Sequence, residues 1–425
     1  MNKFTVAFAL LTLTVIPAHA VSSASSIQLA QATGDNPQQQ LIQLRKDWAN
    51  RDPALRGPEQ LQQQDAFQRR ALALAEAYEN SLRRNPNQIQ HWLELAEVQF
   101  IFLNRFEAAE NALKQALTLQ PDHVQANIAR AEFDFFVKKD VNTAIERLEN
   151  QLTNTPQQPD LLITLADLRT RSSNDKGVYD ALEQRFVSAR QAHPQHEKLQ
   201  YMQAFVAAQK AVLGKSLDTA QAEIALNHYE KLVEAYPTAR YALETAQIAR
   251  QLKQPQKAHA LIDQALKSDL SARDRATLIR AKGDLWLEAG ATDLDAGRWS
   301  EALEKAQENY RKVLPAAQML VYSDRVQFYY NLGLLAYNHG RAEFNQSPSR
   351  ALPYLDQAVQ YYQEATRLFD QVSMINAALQ KDMARALEMK GMVYQKQNEE
   401  FKAKAAFEEA CNLKLESSCK RLGRS

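Results

Sequence analysis

Cys411 and Cys419 are the only two cysteines in a chain of 425 residues, and seven residues separate them. Thiols at this spacing can close a short covalent loop, provided that the compartment is oxidising. The start of the chain bears on the compartment. Lys3 precedes an apolar run, Phe4 to Ile16, and Ala18-His19-Ala20 gives a small-x-small cleavage pattern before Val21. That is the layout of a secretory signal peptide, and the run is shorter than the ~18 residues a membrane helix needs. No cysteine stands at the cleavage point, so no lipid attachment site is read there. A periplasmic address is expected, and with it a Cys411–Cys419 disulfide rather than two buried thiols. Phe401, Ala403, Phe407 and Ala410 make a helical pattern running into Cys411. The bridge would therefore join the end of one helix to the start of the next. A loop this short stabilises by about 2–3 kcal/mol in the loop-entropy picture.

Other residue types that could do chemistry fall short of a site. His193 and His196 flank Pro194-Gln195 in a turn, not on one helix face, with no nearby cysteine to complete a zinc set, and no His-Glu-x-x-His occurs. Gly214-Lys215-Ser216 matches the end of a phosphate-binding loop, but Gln209 stands where its first glycine is required. Ser173 with Lys176, and Ser417 with Lys420, match Ser-x-x-Lys. A serine enzyme of the β-lactam-interacting type would also need Ser-Asp-Asn and Lys-Thr-Gly, which are missing, as is Gly-x-Ser-x-Gly. No catalytic, cofactor or metal residue is assigned, and a non-enzymatic role is expected.

The elements that carry these residues follow from composition. Lys and Arg number 51 against 50 Asp and Glu, and signal cleavage would remove Lys3 and leave the signs equal. A balanced charge gives no global attraction to nucleic acid or anionic lipid. The basic cluster Lys420, Arg421 and Arg424 reads as a solvated tail. Only 11 glycines occur, amid abundant Ala, Leu, Gln, Glu and Lys, which favours helices throughout. No run after the signal is long and apolar enough to span a membrane.

Organisation appears as a period. Pro86, Pro121 and Pro156 are spaced 35 residues apart, followed by Pro194 and Pro237. Proline lacks the amide donor and drives its predecessor out of helical geometry, so each marks a helix end. Two amphipathic helices per unit of this length resemble the tetratricopeptide repeat. In the first unit Trp92, Leu95, Ala96 and Phe100 mark the first helix, and Ala109, Leu113, Ala116 and Pro121 the second. This unit is one residue longer than the family pattern between its helices. Tyr329, Leu332, Gly333 and Tyr337 mark a later unit. Leu387, Gly391, Tyr394, Ala403, Phe407 and Ala410 fit the last one at the family spacing. The small residues let paired helices approach, and Gly391 is expected to face Ala403.

The resemblance implies an all-α fold: a right-handed tetratricopeptide-like helical solenoid with an N-terminal helical cap. The expected divisions are a signal peptide (1–20), a flexible leader (21–40), a cap (41–86), an array of about eight helix pairs (87–419) and a basic tail (420–425). Residues 171–177, 213–216, 289–297 and 344–348 read as lengthened inter-helix loops. In the family the first helix of each pair lines the concave surface. By register that exposes Leu93, Glu97, Phe133, Phe136, Tyr330 and Tyr337 to a protein or peptide partner, unless these side chains fill the helix stack instead. The Lys/Asn clamp with which some members grip a C-terminal carboxylate is not evident at the corresponding positions. Phe407 to Cys411 with Ser418 to Gly423 is similar to the cysteine-bridged Sel1-like repeats of secreted bacterial proteins. The implied function is an envelope adaptor holding a protein or peptide; the alternative is an assembly factor or regulatory subunit of an envelope enzyme system, such as cytochrome maturation, secretion or cell-wall synthesis.

Overall fold

Helix ends in this chain follow its prolines and its polar caps. In the computed structural model, residues 36–50, 58–369 and 376–423 are described, and among them every regular element is helical. The expected signal peptide and most of the expected leader lie outside the described residues. The chain divides into two compact units, the first ending at Ser172 and the second running from Ser173.

The first unit contains α1 (Pro37–Asn50), α2 (Pro58–Arg84), α3 (Ile89–Glu97), α4 (Phe106–Leu119), α5 (Val124–Phe136), α6 (Val141–Asn154) and α7 (Pro159–Ser172). Helix α1 starts inside the expected leader. Leu41, Leu44 and Trp48 recur at helical spacing, and both leucines are fully buried. Trp48 stands edge-on to Phe67 of α2 and to Phe102, at 5.3 and 5.5 Å between ring centroids. The surplus residue of the first repeat is absorbed as a π-helical turn, Val98–Phe102, that continues α3. Its Leu103 amide reaches back five residues to the Val98 carbonyl at 3.2 Å. A single inserted residue is the usual origin of such a turn, and here it delivers Phe102 to Trp48.

The second unit contains α8 (Lys176–Ala192), α9 (Glu197–Ala211), α10 (Thr219–Ala235), α11 (Ala239–Gln251), α12 (Pro255–Ala265), α13 (Ala272–Ala289), α14 (Ala291–Ala296), α15 (Glu301–Val313), α16 (Tyr322–Gln346), α17 (Pro348–Phe369), α18 (Asn376–Lys396), α19 (Glu400–Asn412) and α20 (Glu416–Arg421). The packed pairs are α9 with α10, α11 with α12, α13 with α15, α16 with α17 and α18 with α19. Two expected loops are largely helical. Residues 289–297 hold α14, and α16 runs through Phe344 to Gln346, so Ser347 alone joins it to α17. Helix α20 likewise extends into the expected basic tail.

Scarce glycine is reconciled with tight turns by polar residues in the left-handed region. Asn104, Lys139, Lys253, Asn398 and Lys414 all have φ between 53° and 66° and each follows a helix C-terminus. Two glycines, Gly297 and Gly423, also take positive φ, and others serve close approach. A Cβ on Gly391 would lie 2.5 Å from Cε1 of Phe407, and one on Gly333 2.6 Å from the Tyr362 ring. Gly391 therefore faces Phe407, not Ala403 as expected. The small residue on one helix accepts the flat ring of its partner rather than another small residue.

Candidate functional site

The first helices of consecutive pairs pack on one another, α3 on α5 and α5 on α7. Each begins just after one of the 35-spaced prolines, so equivalent residues form rows across the three helices. One row is acidic: Glu97 on α3, Glu132 on α5 and Asp167 on α7, at intervals of 35 residues.

The three carboxylates are treated differently. Glu97 accepts two hydrogen bonds from the guanidinium of Arg45 on α1, one of them from Nε at 2.7 Å. Burial still holds its carboxyl above the ordinary range, against the pull of Arg45. Asp167 accepts from Nε of Arg171, one turn later, at 2.8 Å. Among the described residues, Glu132 has no hydrogen-bonding or ionic partner. Its carboxyl is pushed up to about 7, by burial first and then by the charges of Asp167 and Glu97. Glu132 is half-buried and keeps part of its surface in contact with solvent. Glu94, only 7% exposed, receives the Gln90 side-chain amide at 2.8 Å on Oε1 and stands against the buried Tyr78 hydroxyl.

The sequence-read groove residues are only partly assembled by this geometry. Leu93 and Glu97 sit on α3, Leu93 half-buried against the core of the first unit. Phe133 is 2% exposed and belongs to that core, 6.0 Å from the Phe100 ring. It is not a groove residue. The 35-residue equivalent of Glu97 is Glu132, and Phe133, one step further round the helix, is equivalent to the buried Val98. Phe136 is half-buried, edge-on to Phe135 at 5.0 Å, with the Arg171 guanidinium 5.9 Å from its ring centre. Tyr330 and Tyr337 belong to the second unit. Tyr330 donates to Asp382 at 2.8 Å, and burial with that carboxylate raises its hydroxyl pKa. Tyr337 is half-buried in the core of its own unit, with Arg341 5.9 Å from its ring. Glu132 and Asp167 were missed at the level of sequence, although the proline period contains the signal that finds them.

A family model described as FAT domain matches residues 21–242, just over half of the chain, and one described as tetratricopeptide repeat matches residues 384–416. The chain is a tetratricopeptide-repeat protein of the FAT domain family. No curated protein matches it. Similar solved structures include a thermophilic TPR protein from Thermus thermophilus, with 19% identity, 47% of this chain and 99% of that one covered, and a TM-score of 0.36. A tetratricopeptide repeat protein from Parabacteroides merdae is 14% identical over 69% of this chain and 98% of its own, with a TM-score of 0.39. Human IFIT1, solved as a dimer with PPP-AAAA, is 17% identical over 82% and 69%, with a TM-score of 0.44.

In this repeat protein His193, His196 and Ser173 serve in turns and caps. The His193 amide closes the end of α8 on the Ala189 carbonyl at 2.9 Å, and the His196 ring caps α9 by accepting from the Leu199 amide at 3.2 Å. Ser173 accepts from the Asp175 amide at 3.1 Å, and Asp175 in turn caps α8. Among the described residues no group of metal-ligating side chains comes together, and no helix is long and apolar enough to cross a membrane. Cys411 on α19 and Cys419 on α20 are disulfide-bonded, with Cα atoms 4.8 Å apart. The Arg421 guanidinium lies 5.4 Å from the Phe407 ring, between the bridged helix and the last repeat.

Proposed function

We propose that this chain is a non-enzymatic periplasmic adaptor that holds a protein or peptide partner on the face formed by α3, α5 and α7. Tetratricopeptide repeats are interaction scaffolds: stacked helices present preformed side chains, so a partner meets little ordering cost on the protein side. The observation that carries the reading is the row Glu97, Glu132 and Asp167, whose central carboxylate is deep, solvent-touched and without a counter-charge. An isolated repeat stack gains nothing from such a residue, because burying a charge without a partner is unfavourable. The address rests on Lys3, the Phe4–Ile16 run and the Ala18-x-Ala20 pattern, and a disulfide suits that address.

Site-specific photocrosslinking in cells tests the proposal. A photoreactive residue at Ile163, on α7, should give a discrete adduct with one envelope protein. The same residue at Lys114, exposed on α4, should give none. Equal labelling from both positions, or no adduct at Ile163, would refute it.

A further inference from the structure

Three carboxylates and two guanidiniums make up the row on α3, α5 and α7. Arg45 serves Glu97 and Arg171 serves Asp167. Both are supplied from within the chain, one by the N-terminal helix and one by the next turn of the same helix. The middle position has no such residue. Ala129 stands one turn before Glu132 on α5, and Phe136 stands one turn after it, in the place that Arg171 holds relative to Asp167. A carboxylate between two others, with burial already working against its charge, is where an added cation gains most.

We infer that the partner inserts an arginine side chain between α3 and α7, and that its guanidinium pairs with Glu132 to complete the row. This rests on the adaptor reading and adds the chemistry of the recognition element. Arginine suits the position better than lysine. Its planar fork presents several donors at once and sheds water more readily than an ammonium. Half-buried Leu93 and Ile163 flank the row, so the residues beside the arginine should be apolar. An acidic row repels phosphate, which argues for a peptide over a nucleic acid.

Fluorescence polarisation on the mature full-length protein tests this with a labelled peptide, acetyl-Ala-Ala-Leu-Arg-Leu-Ala-Ala-amide, and the same peptide with citrulline for arginine. Citrulline keeps the shape and removes the charge. The arginine peptide should bind wild type at least about tenfold more tightly than the citrulline peptide. Glu132→Gln should abolish that difference while leaving the citrulline peptide unchanged. The variant should melt no lower than wild type, because it removes repulsion, so lost binding could not be ascribed to unfolding. Equal binding of the two peptides, a difference that survives Glu132→Gln, binding of free arginine amide as tight as the peptide's, or no binding at millimolar peptide would each overturn the inference. The photocrosslinking experiment separates the two levels. An adduct from Ile163 that persists undiminished in Glu132→Gln would leave the adaptor standing and remove the arginine.

Discussion

Replacing Gly391 with alanine puts two opposing effects on one atom. The new methyl would lie 2.5, 2.7 and 2.9 Å from three carbons of the Phe407 ring. Comfortable carbon contacts begin near ~3.5 Å, so the ring must retreat by about 1 Å. It has little room, since Phe407 is 5% exposed, with Arg421 5.4 Å from its ring. Overpacking of this kind costs about 1–3 kcal/mol. Against it, alanine is a better helix former than glycine by about 1 kcal/mol. The net expectation is a loss of about 1–2 kcal/mol, local to α18, α19 and α20, because stacked repeats transmit little beyond their neighbours. Hydrogen exchange resolved along the chain, with denaturant unfolding as the global readout, measures it. Repeating the substitution in a Phe407→Leu background should reverse the sign, since the helical gain then acts unopposed. If Gly391→Ala stabilises the otherwise native protein, the Gly391–Phe407 contact is not tight and the packing described here is wrong.

Replacing both cysteines with serine should accelerate amide exchange from about residue 384 to the C-terminus and cost about 2–3 kcal/mol in that region, with the first unit unaffected; uniform exchange changes would contradict a local staple. Glu132 supplies a pH signature. Its folded pKa lies near 7, above that of an unfolded glutamate, so the folded state binds the proton more tightly, and stability is lost as pH rises from the unfolded value through about 7. Denaturant unfolding should show wild type losing on the order of 1–3 kcal/mol across that interval relative to Glu132→Gln, and parallel curves would refute the burial of this carboxylate. Arg45→Ala leaves Glu97 enclosed without its guanidinium and should cost about 3 kcal/mol, seen as faster exchange in α1 and α3; a change under about 0.5 kcal/mol would mean that the pair is solvated.

Much of this architecture is legible before any coordinates, because its determinants are local. The prolines that stop helices and the small residues that admit rings act within a few positions. The surplus residue in the first repeat is visible as a count, and the structure spends it on a π-helical turn. What escapes the sequence depends on rotation about a helix axis. Assigning Phe133 to the open face errs by a single residue, which turns a side chain by about 100° and carries it from groove to core. Glu132 and Asp167 are hidden for the same reason, since charged residues on a helix read as solvated surface until the neighbouring helices are in place. The partner of Gly391 is likewise set by the depth at which two helices interlock, which the repeat pattern leaves open between Ala403 and Phe407. The pairing of Arg45 with Glu97 spans 52 residues and has no periodic signature.

The central claim, that α3, α5 and α7 form the partner-binding face, is tested most directly by hydrogen exchange on the protein with and without the partner recovered by crosslinking. Protection concentrated on α3, α5 and α7, and lost in Glu132→Gln, is the expected result. Protection confined to α4 and α6, with those three helices unchanged, would contradict it.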